Sequence, residues 1–333
     1  MQYFKKILVF YITLLSAGLL QADQPITLFC HGIVDNERQS ERFHEVLEQP
    51  VQIFNFQDAQ KPEKFDLNSL IFQTCFLFGK FVNRDKMFMG QSQDVLTLAQ
   101  QIDLGKEYIL YGVSRGGSAA INYIADYNPL NIKALILDAA PADMISPVDA
   151  LQYAVGYKFA SSRVQQENIF QAVFPSYEIG SVPPIKNISK IKNKKLPIFI
   201  VHSMEDSRVS TSSAWQLYLA FKDNGFENVY LCELLQGKHS FCMQGPDKDL
   251  YIHGLHSFYK KYNFAYNEKY ADINLDIFQP TKEEILEKLK LYQKKLEDLY
   301  NIRKLELQGS IAILFSGIIL RSWLYSKNNE FNS

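Results

Sequence analysis

Neither sign of charge dominates this chain: 35 lysine and arginine residues face 36 aspartate and glutamate residues, a net charge of −1. A nucleic-acid binder needs a clustered basic surface, so no nucleic-acid partner is expected. Cysteine is scarce, with four residues, and no Cys/His spacing matches a metal site. No metal and no cofactor are expected. Internal repeats and low-complexity tracts are absent, which removes solenoids and arrays. Cys30 lies in an apolar run and fits a buried small apolar residue. Cys232 and Cys242 flank His239 and would clasp its loop if the compartment is oxidising, although pairing, including that of Cys75, does not follow from sequence.

What is present is apolar residue in quantity, 47% of the chain, enough for a full core. The length suits one large domain with an extension, or two small domains. Near the N-terminus, Lys5 and Lys6 precede an apolar run from Ile7 to Leu20, and Ala22 offers a cleavage position. That is the order of a secretory signal, shorter than the roughly 20 apolar residues of a membrane span. Residues 1–22 are therefore expected to be a signal peptide and the remainder to be exported: secreted, periplasmic or membrane-attached. The competing assignment is a buried N-terminal helix.

Apolar strand-like runs cover Ile26 to Cys30, Val51 to Phe56, Tyr108 to Val113, Ile132 to Leu137, Pro197 to Val201 and Val229 to Leu235. Helix-like stretches fall between them: Asn36 to Leu47, Gln93 to Ile102 (Val95, Leu96, Leu98 and Ala99 apolar), Gly116 to Tyr127, Thr211 to Lys222 and Asp249 to Tyr262. The runs lack inside/outside alternation, as do strands buried on both faces of a parallel sheet. The pattern predicts a three-layer α/β domain over residues 23–265 with a mostly parallel sheet of about six strands. Residues 143–190 interrupt the alternation and predict a helical lid.

Beyond about residue 270 the character changes. Thr281 and Glu284 have capping-box spacing. Ile285, Leu289, Tyr292, Leu296 and Leu299 then recur in steps of four and three among charged residues. Residues 280–307 thus predict either a heptad seam for self-association or an amphipathic helix lying on the body. The tail at 308–326 is apolar from Gly309 to Leu320, and counting through Trp323 and Tyr325 it reaches a length that could anchor in a membrane if Arg321 snorkels. The alternative is burial in the fold or in a partner.

Gly112-Val113-Ser114-Arg115-Gly116 fits G-x-S-x-G. By composition the pattern recurs by chance in roughly one chain in ten, so its context matters more. An apolar strand precedes it and a helix rich in small residues follows, the strand–turn–helix of a nucleophile elbow. A serine hydroxyl needs a base. His239 follows the strand ending at Leu235, where open α/β sheets place ligand-contacting groups. His44, His253 and His256 fall on or inside helices and fit worse. The base needs an acid to set its tautomer. Asp206, past the strand ending at Val201, is the first candidate, and Asp138, at the end of its own strand, is the second. The order Ser, Asp, His is that of this architecture.

From about residue 26 to 262 the chain resembles an α/β-hydrolase-fold serine hydrolase. The resemblance rests on His31-Gly32, Gly112-Val113-Ser114-Arg115-Gly116-Gly117, His202-x-x-x-Asp206-x-x-Val209 and Gly237-x-His239, in that order. It implies an oxyanion hole from the backbone N–H groups of Ile33 and Arg115, with Gly32, Gly112 and Gly116 shaping the turns. It also implies acyl transfer through Ser114, Asp206 and His239 on a small-molecule acyl substrate, and the aromatic-rich stretches at 71–81 and 153–174 favour an apolar one. Two departures stand out. The strands that usually precede His-Gly are missing, and His202-Ser203 replaces the more usual His-Gly. Carboxylesterase or lipase chemistry is the first reading, with a serine peptidase or thioesterase on the same triad as the alternative. A non-catalytic, envelope-anchored binding protein is the alternative outside enzymes.

Overall fold

The computed structural model describes residues 24–33, 36–57, 88–158 and 160–330. The signal-peptide assignment for 1–22, Cys75, and the side chains of the apolar tail from 311 onward lie outside the described residues.

Among the described residues the sheet has six strands in the order β2-β1-β3-β4-β5-β6, every pair parallel. They are β1 (Ile26–Cys30), β2 (Val51–Ile53), β3 (Tyr108–Val113), β4 (Ile132–Asp138), β5 (Ile198–Ser203) and β6 (Val229–Leu234). Crossover helices follow: α1 (Ser92–Ala99), α2 (Arg115–Tyr127), α6 (Ser212–Asp223) and α7 (Lys248–Lys261). The insertion holds α3 (Ser146–Val155), α4 (Arg163–Val173) and the single turn α5 (Pro184–Asn187). A long helix, α8 (Lys282–Glu330), ends the fold.

The strands read as unbroken apolar runs because both faces are covered. Leu28, Leu110, Leu135, Ile198 and Leu231 pack with Val95, Ile121 and Trp215 of α1, α2 and α6. Their neighbours in sequence, Phe29, Ile109, Ile136, Phe199 and Tyr230, point the other way, onto Phe43 and onto Leu255 and Phe258 of α7. Each such side chain contributes about 1.5–3 kcal/mol on full burial. The result is three layers.

Several segments differ from the sequence expectation. The strand expected to run to Phe56 stops at Ile53, because β2 is a short edge strand with Val51 and Ile53 exposed. Phe54 and Phe56 leave the sheet and pack edge-on in the core, centroids 5.0 Å apart. The helix expected at Asn36 to Leu47 is a 3-10 helix, Glu37–Val46, capped by the Asn36 side chain accepting from Arg38 N–H. Leu96, expected on the apolar side of α1, is exposed, and Asp94 is buried in its place. Cys30, Cys232 and Cys242 are free buried thiols. The clasp across the His239 loop does not form. Cys232 is spent on the sheet core facing α7.

The start of α8 has the expected capping box: Thr281 N–H donates to Glu284 Oε2 at 2.7 Å and Glu284 N–H to Thr281 Oγ1 at 3.2 Å. Ile285 is fully buried, and Leu289 and Tyr292 pack on the same core. Lys288 pairs with Glu233 of β6, and Tyr292 stands edge-on to Trp215 with centroids 6.0 Å apart. The first half of the heptad pattern is therefore taken up by the body. Further along, Tyr300 meets Tyr153 of α3 at 6.1 Å. Among the described residues no helix is long and apolar enough to cross a membrane.

Candidate functional site

The chain runs from β1 outward to β2 and then returns to the other side of β1 with β3. Strand order reverses between β1 and β3, and ligands of open α/β sheets bind at such a switch point, outside the carboxyl ends. His31-Gly32 leaves β1 there and Ser114 leaves β3 beside it.

Ser114 joins β3 directly to α2 at φ 51, ψ −119. A non-glycine residue in this region costs on the order of 1–3 kcal/mol and persists only where its surroundings enforce it. Here Ser114 N–H donates to Asp138 O at 2.8 Å, and Gly117 N–H donates to Ser114 O at 2.9 Å. The turn is closed by backbone pressed against backbone. A Cβ on Gly116 would lie 2.0 Å from Cys30 O, and one on Gly112 would lie 2.5 Å from Gly117 Cα.

Ser114, His239 and Asp206 are brought together in one hydrogen-bonded line. His239 Nδ1 lies 2.7 Å from Asp206 Oδ2, and His239 Nε2 lies 3.0 Å from Ser114 Oγ. A carboxylate only accepts, so Nδ1 carries the proton and Nε2 accepts from the serine hydroxyl. Asp206 Oδ1 accepts from Arg208 N–H at 2.9 Å and Val209 N–H at 3.0 Å. Burial works to raise the Asp206 carboxyl, but the hydrogen bond and charge of His239, with His202 and the Val209 N–H, outweigh it and hold the group below the usual range. His202 sits behind, donating from Nε2 to Val209 O at 2.8 Å, with that nitrogen 3.4 Å from Asp206 Oδ2. Burial pushes His202 down, so it stays neutral.

Asp138, the other candidate acid, does not reach His239. It is fully buried at the end of β4, and its Oδ2 accepts from Tyr251 O–H at 2.8 Å.

Gly32 is held at both its backbone polar groups, the second of them in the peptide that leads to Ile33. Gly32 N–H donates to Gln39 Oε1 at 2.8 Å, and His31 Nδ1–H donates to Gly32 O at 2.8 Å. His31 Nε2 in turn accepts from Phe56 N–H at 3.0 Å, which sets its tautomer. Gly32 lies against Ser114: a Cβ there would be 3.5 Å from Ser114 Cβ. Ile33 packs against the apolar cluster that holds Met89 and, from the insertion, Met144 and Phe170. Arg115, directly after Ser114, begins α2. Its guanidinium is fully buried, 2.9 Å from Asp94 and 4.5 Å above the Phe56 ring. Asp94 also takes the Gly90 N–H at 2.6 Å. The two residues expected to supply the oxyanion hole thus stand in sequence next to Gly32, which lies against Ser114, and next to Ser114 itself. Gln39, Asp94 and Tyr251 are supports that no sequence motif marks, whereas His202 opens the motif that carries Asp206. Among the described residues no cluster of three or more His, Cys, Asp and Glu has metal-ligand geometry.

A parallel sheet in this order, with a strained serine between β3 and α2, decides the architecture. The chain has an α/β-hydrolase fold. No family model matches the sequence, and no curated protein matches it. Solved structures similar to this α/β-hydrolase chain include an esterase of Pyrococcus furiosus, 14% identical, TM-score 0.48, covering 73% of this chain and 83% of that one. An esterase of Exiguobacterium antarcticum is 14% identical with a TM-score of 0.45, covering 71% and 92%. An acylaminoacyl peptidase of Pyrococcus horikoshii is 13% identical with a TM-score of 0.45, covering 78% of this chain and 40% of its own length. These likenesses concern the fold.

Proposed function

We propose that the protein is a serine hydrolase that cleaves a carboxylic ester through an acyl-enzyme. The observation that carries this reading is the line from Ser114 through His239 to Asp206, at 3.0 and 2.7 Å, at a strained elbow. Ser114 Oγ attacks the carbonyl carbon while His239 Nε2 takes its proton, and Asp206 stabilises the imidazolium. The oxyanion settles against the N–H groups of Ile33 and Arg115. His239 then gives its proton to the leaving alkoxide. Water, deprotonated by the same nitrogen, releases the acid and restores Ser114. The apolar side chains around Ile33 favour an apolar acyl group. The N-terminal Lys5-Lys6 and apolar run favour action outside the cytoplasm.

A fluorophosphonate probe should label the parent protein and not a folded Ser114→Ala variant. A folded parent that resists the probe and hydrolyses none of a series of nitrophenyl esters of graded length would sink the proposal. Gln39→Ala tests the oxyanion support. It leaves the buried Gly32 N–H unpaired, a cost of about 1–3 kcal/mol. With the Ile33 peptide loosened, kcat should fall roughly tenfold at nearly constant KM, since the contact strengthens only in the transition state. An equal rise in KM with kcat intact would assign Gln39 to substrate binding instead.

A further inference from the structure

We infer that Asp138 is a positioning residue that acts on His239 through its charge: a buried carboxyl at the elbow, held by Tyr251, that sets a second anion near the imidazole when it ionises.

The geometry begins at the elbow. Asp138 is the last residue of β4 and pairs with Val113, the residue before Ser114. Its carbonyl holds the Ser114 N–H at 2.8 Å, so its side chain is fixed relative to the serine. The carboxyl has no solvent exposure. Tyr251 O–H reaches Oδ2 at 2.8 Å and is itself hydrogen-bonded to Tyr111 O–H. Oδ1 meets no hydrogen-bond partner among the described residues. A single phenol on one oxygen is poor solvation for a carboxylate in a low-dielectric interior. A protonated carboxyl is correspondingly favoured, and the group sits near balance between the two forms.

The ionisable groups facing Asp138 come from every neighbouring element. β3 supplies Tyr111, α7 supplies Tyr251, β6 supplies Cys232, and the loop after it supplies His239 and Cys242. Asp206 faces it from the loop after β5, and Tyr259 of α7 stands next to Tyr111. Burial pushes Asp138 up to about 7, against the Tyr251 hydrogen bond and the charge of His239, with Asp206 pushing further up. Burial likewise raises the phenols and thiols, which stay neutral. His239 is therefore the member of this set that takes up a proton in the transition state.

The sign follows directly. Below neutrality Asp138 carries its proton and Asp206 alone faces the imidazolium. As pH rises through Asp138's range the proton leaves to solvent, and the new carboxylate stabilises the imidazolium formed during acylation. In the parent, the pH profile of kcat/KM should therefore carry an upper step in Asp138's range, shared by Asp138 and the triad as a coupled set.

The kinetic part rests on the hydrolase reading, so the experiment has two arms. In the first, kcat/KM on a nitrophenyl ester is followed from pH 5 to 9. Asp138→Asn should lose the upper step, falling about five- to tenfold above pH 8 while staying within about twofold at pH 6. Tyr251→Phe, which removes the hydrogen bond favouring the ionised form, should move the upper step to higher pH. In the second arm, proton NMR follows the His239 imidazole, assigned by its loss in His239→Gln. The His239 resonances should report Asp138's ionisation in the parent and lose that component in Asp138→Asn, whether or not the parent turns over ester. His239 resonances with the same pH response in the parent and in Asp138→Asn, or a loss of rate equal at every pH in both variants, overturn the inference. The Asp138 component in a parent without esterase activity upholds the coupling and refutes the hydrolase reading. Should Asp138→Asn not fold, Tyr251→Phe decides by the direction of its step.

Discussion

Replacing His239 with alanine should lower kcat by about a millionfold, the order of loss when the base is removed from a serine–histidine–aspartate unit. Nothing else described here can take the serine proton. His202 is neutral but committed through Nε2 to Val209 O, and Asp138 is committed to Tyr251. Asp206→Asn should cost less, about 10⁴-fold. An asparagine can present an amide N–H to His239 Nδ1, which then accepts, leaving the proton on Nε2 facing Ser114. The base is present in the wrong tautomer. The two losses should not add: the double variant should match His239→Ala alone, because the residues act as one unit. Single-turnover kinetics with an activated ester would check this, with circular dichroism to confirm folding. A His239→Ala variant within tenfold of the parent would show that the line at 3.0 and 2.7 Å is not the reacting machinery.

Gly116→Ala should be the most damaging single methyl in the protein's elbow. The added Cβ would lie 2.0 Å from Cys30 O, 2.6 Å from its carbonyl carbon and 2.8 Å from His31 O. All three atoms are backbone of β1 or of the residue leaving it, so no side-chain rotation relieves the clash. The head of α2 and the end of β1 must separate, which pulls the Ser114 turn from the Gly32 loop. The expected cost exceeds about 4 kcal/mol, a large part of the 5–15 kcal/mol that holds a typical domain folded. Gly180→Ala is the control. Nothing lies within 4 Å of that site, and only its φ of +76 opposes a side chain, a penalty of about 1–2 kcal/mol. Urea unfolding of the two variants should differ in midpoint accordingly. A Gly116→Ala protein as stable as the Gly180→Ala protein would mean that the elbow has slack that the contacts do not show.

The interior of the sheet is legible residue by residue. Tyr108 to Val113 is apolar throughout because layers cover both its faces, and the strand has those bounds. Legibility fails at the rim, where Val51 and Ile53 suggest burial but belong to a three-residue edge strand. It fails again in α1, where counting apolar residues places Leu96 inward and Asp94 outward. The ion pair with Arg115 reverses that order, and a pairing across the layers has no trace in local periodicity. The site divides in the same way. Ser114, Asp206 and His239 stand out because each follows a strand end within a recognisable pattern. Gln39 and Tyr251 are ordinary polar residues on helices; Gln39 is only seven residues from Gly32 but at no recognised motif spacing, and Tyr251 is 113 residues from Asp138, so only the folded chain discloses the pairs. The tyrosine of the heptad pattern, Tyr292, is legible as a seam position but not as a body contact, since both uses need the same spacing.

That last contact has a mechanical side. Ser210 belongs to the loop that carries Asp206, and its hydroxyl donates to Tyr292 O–H at 2.7 Å. Two turns further along the same helix, Tyr300 meets Tyr153 of the insertion, and the helix then continues to Glu330. One rigid beam therefore braces the acid's loop at one point and the insertion at another, and its far end is a lever arm of about 40 Å at 1.5 Å per residue. A torque applied to that arm, by anything that grips it, is delivered to both sides of the site at once.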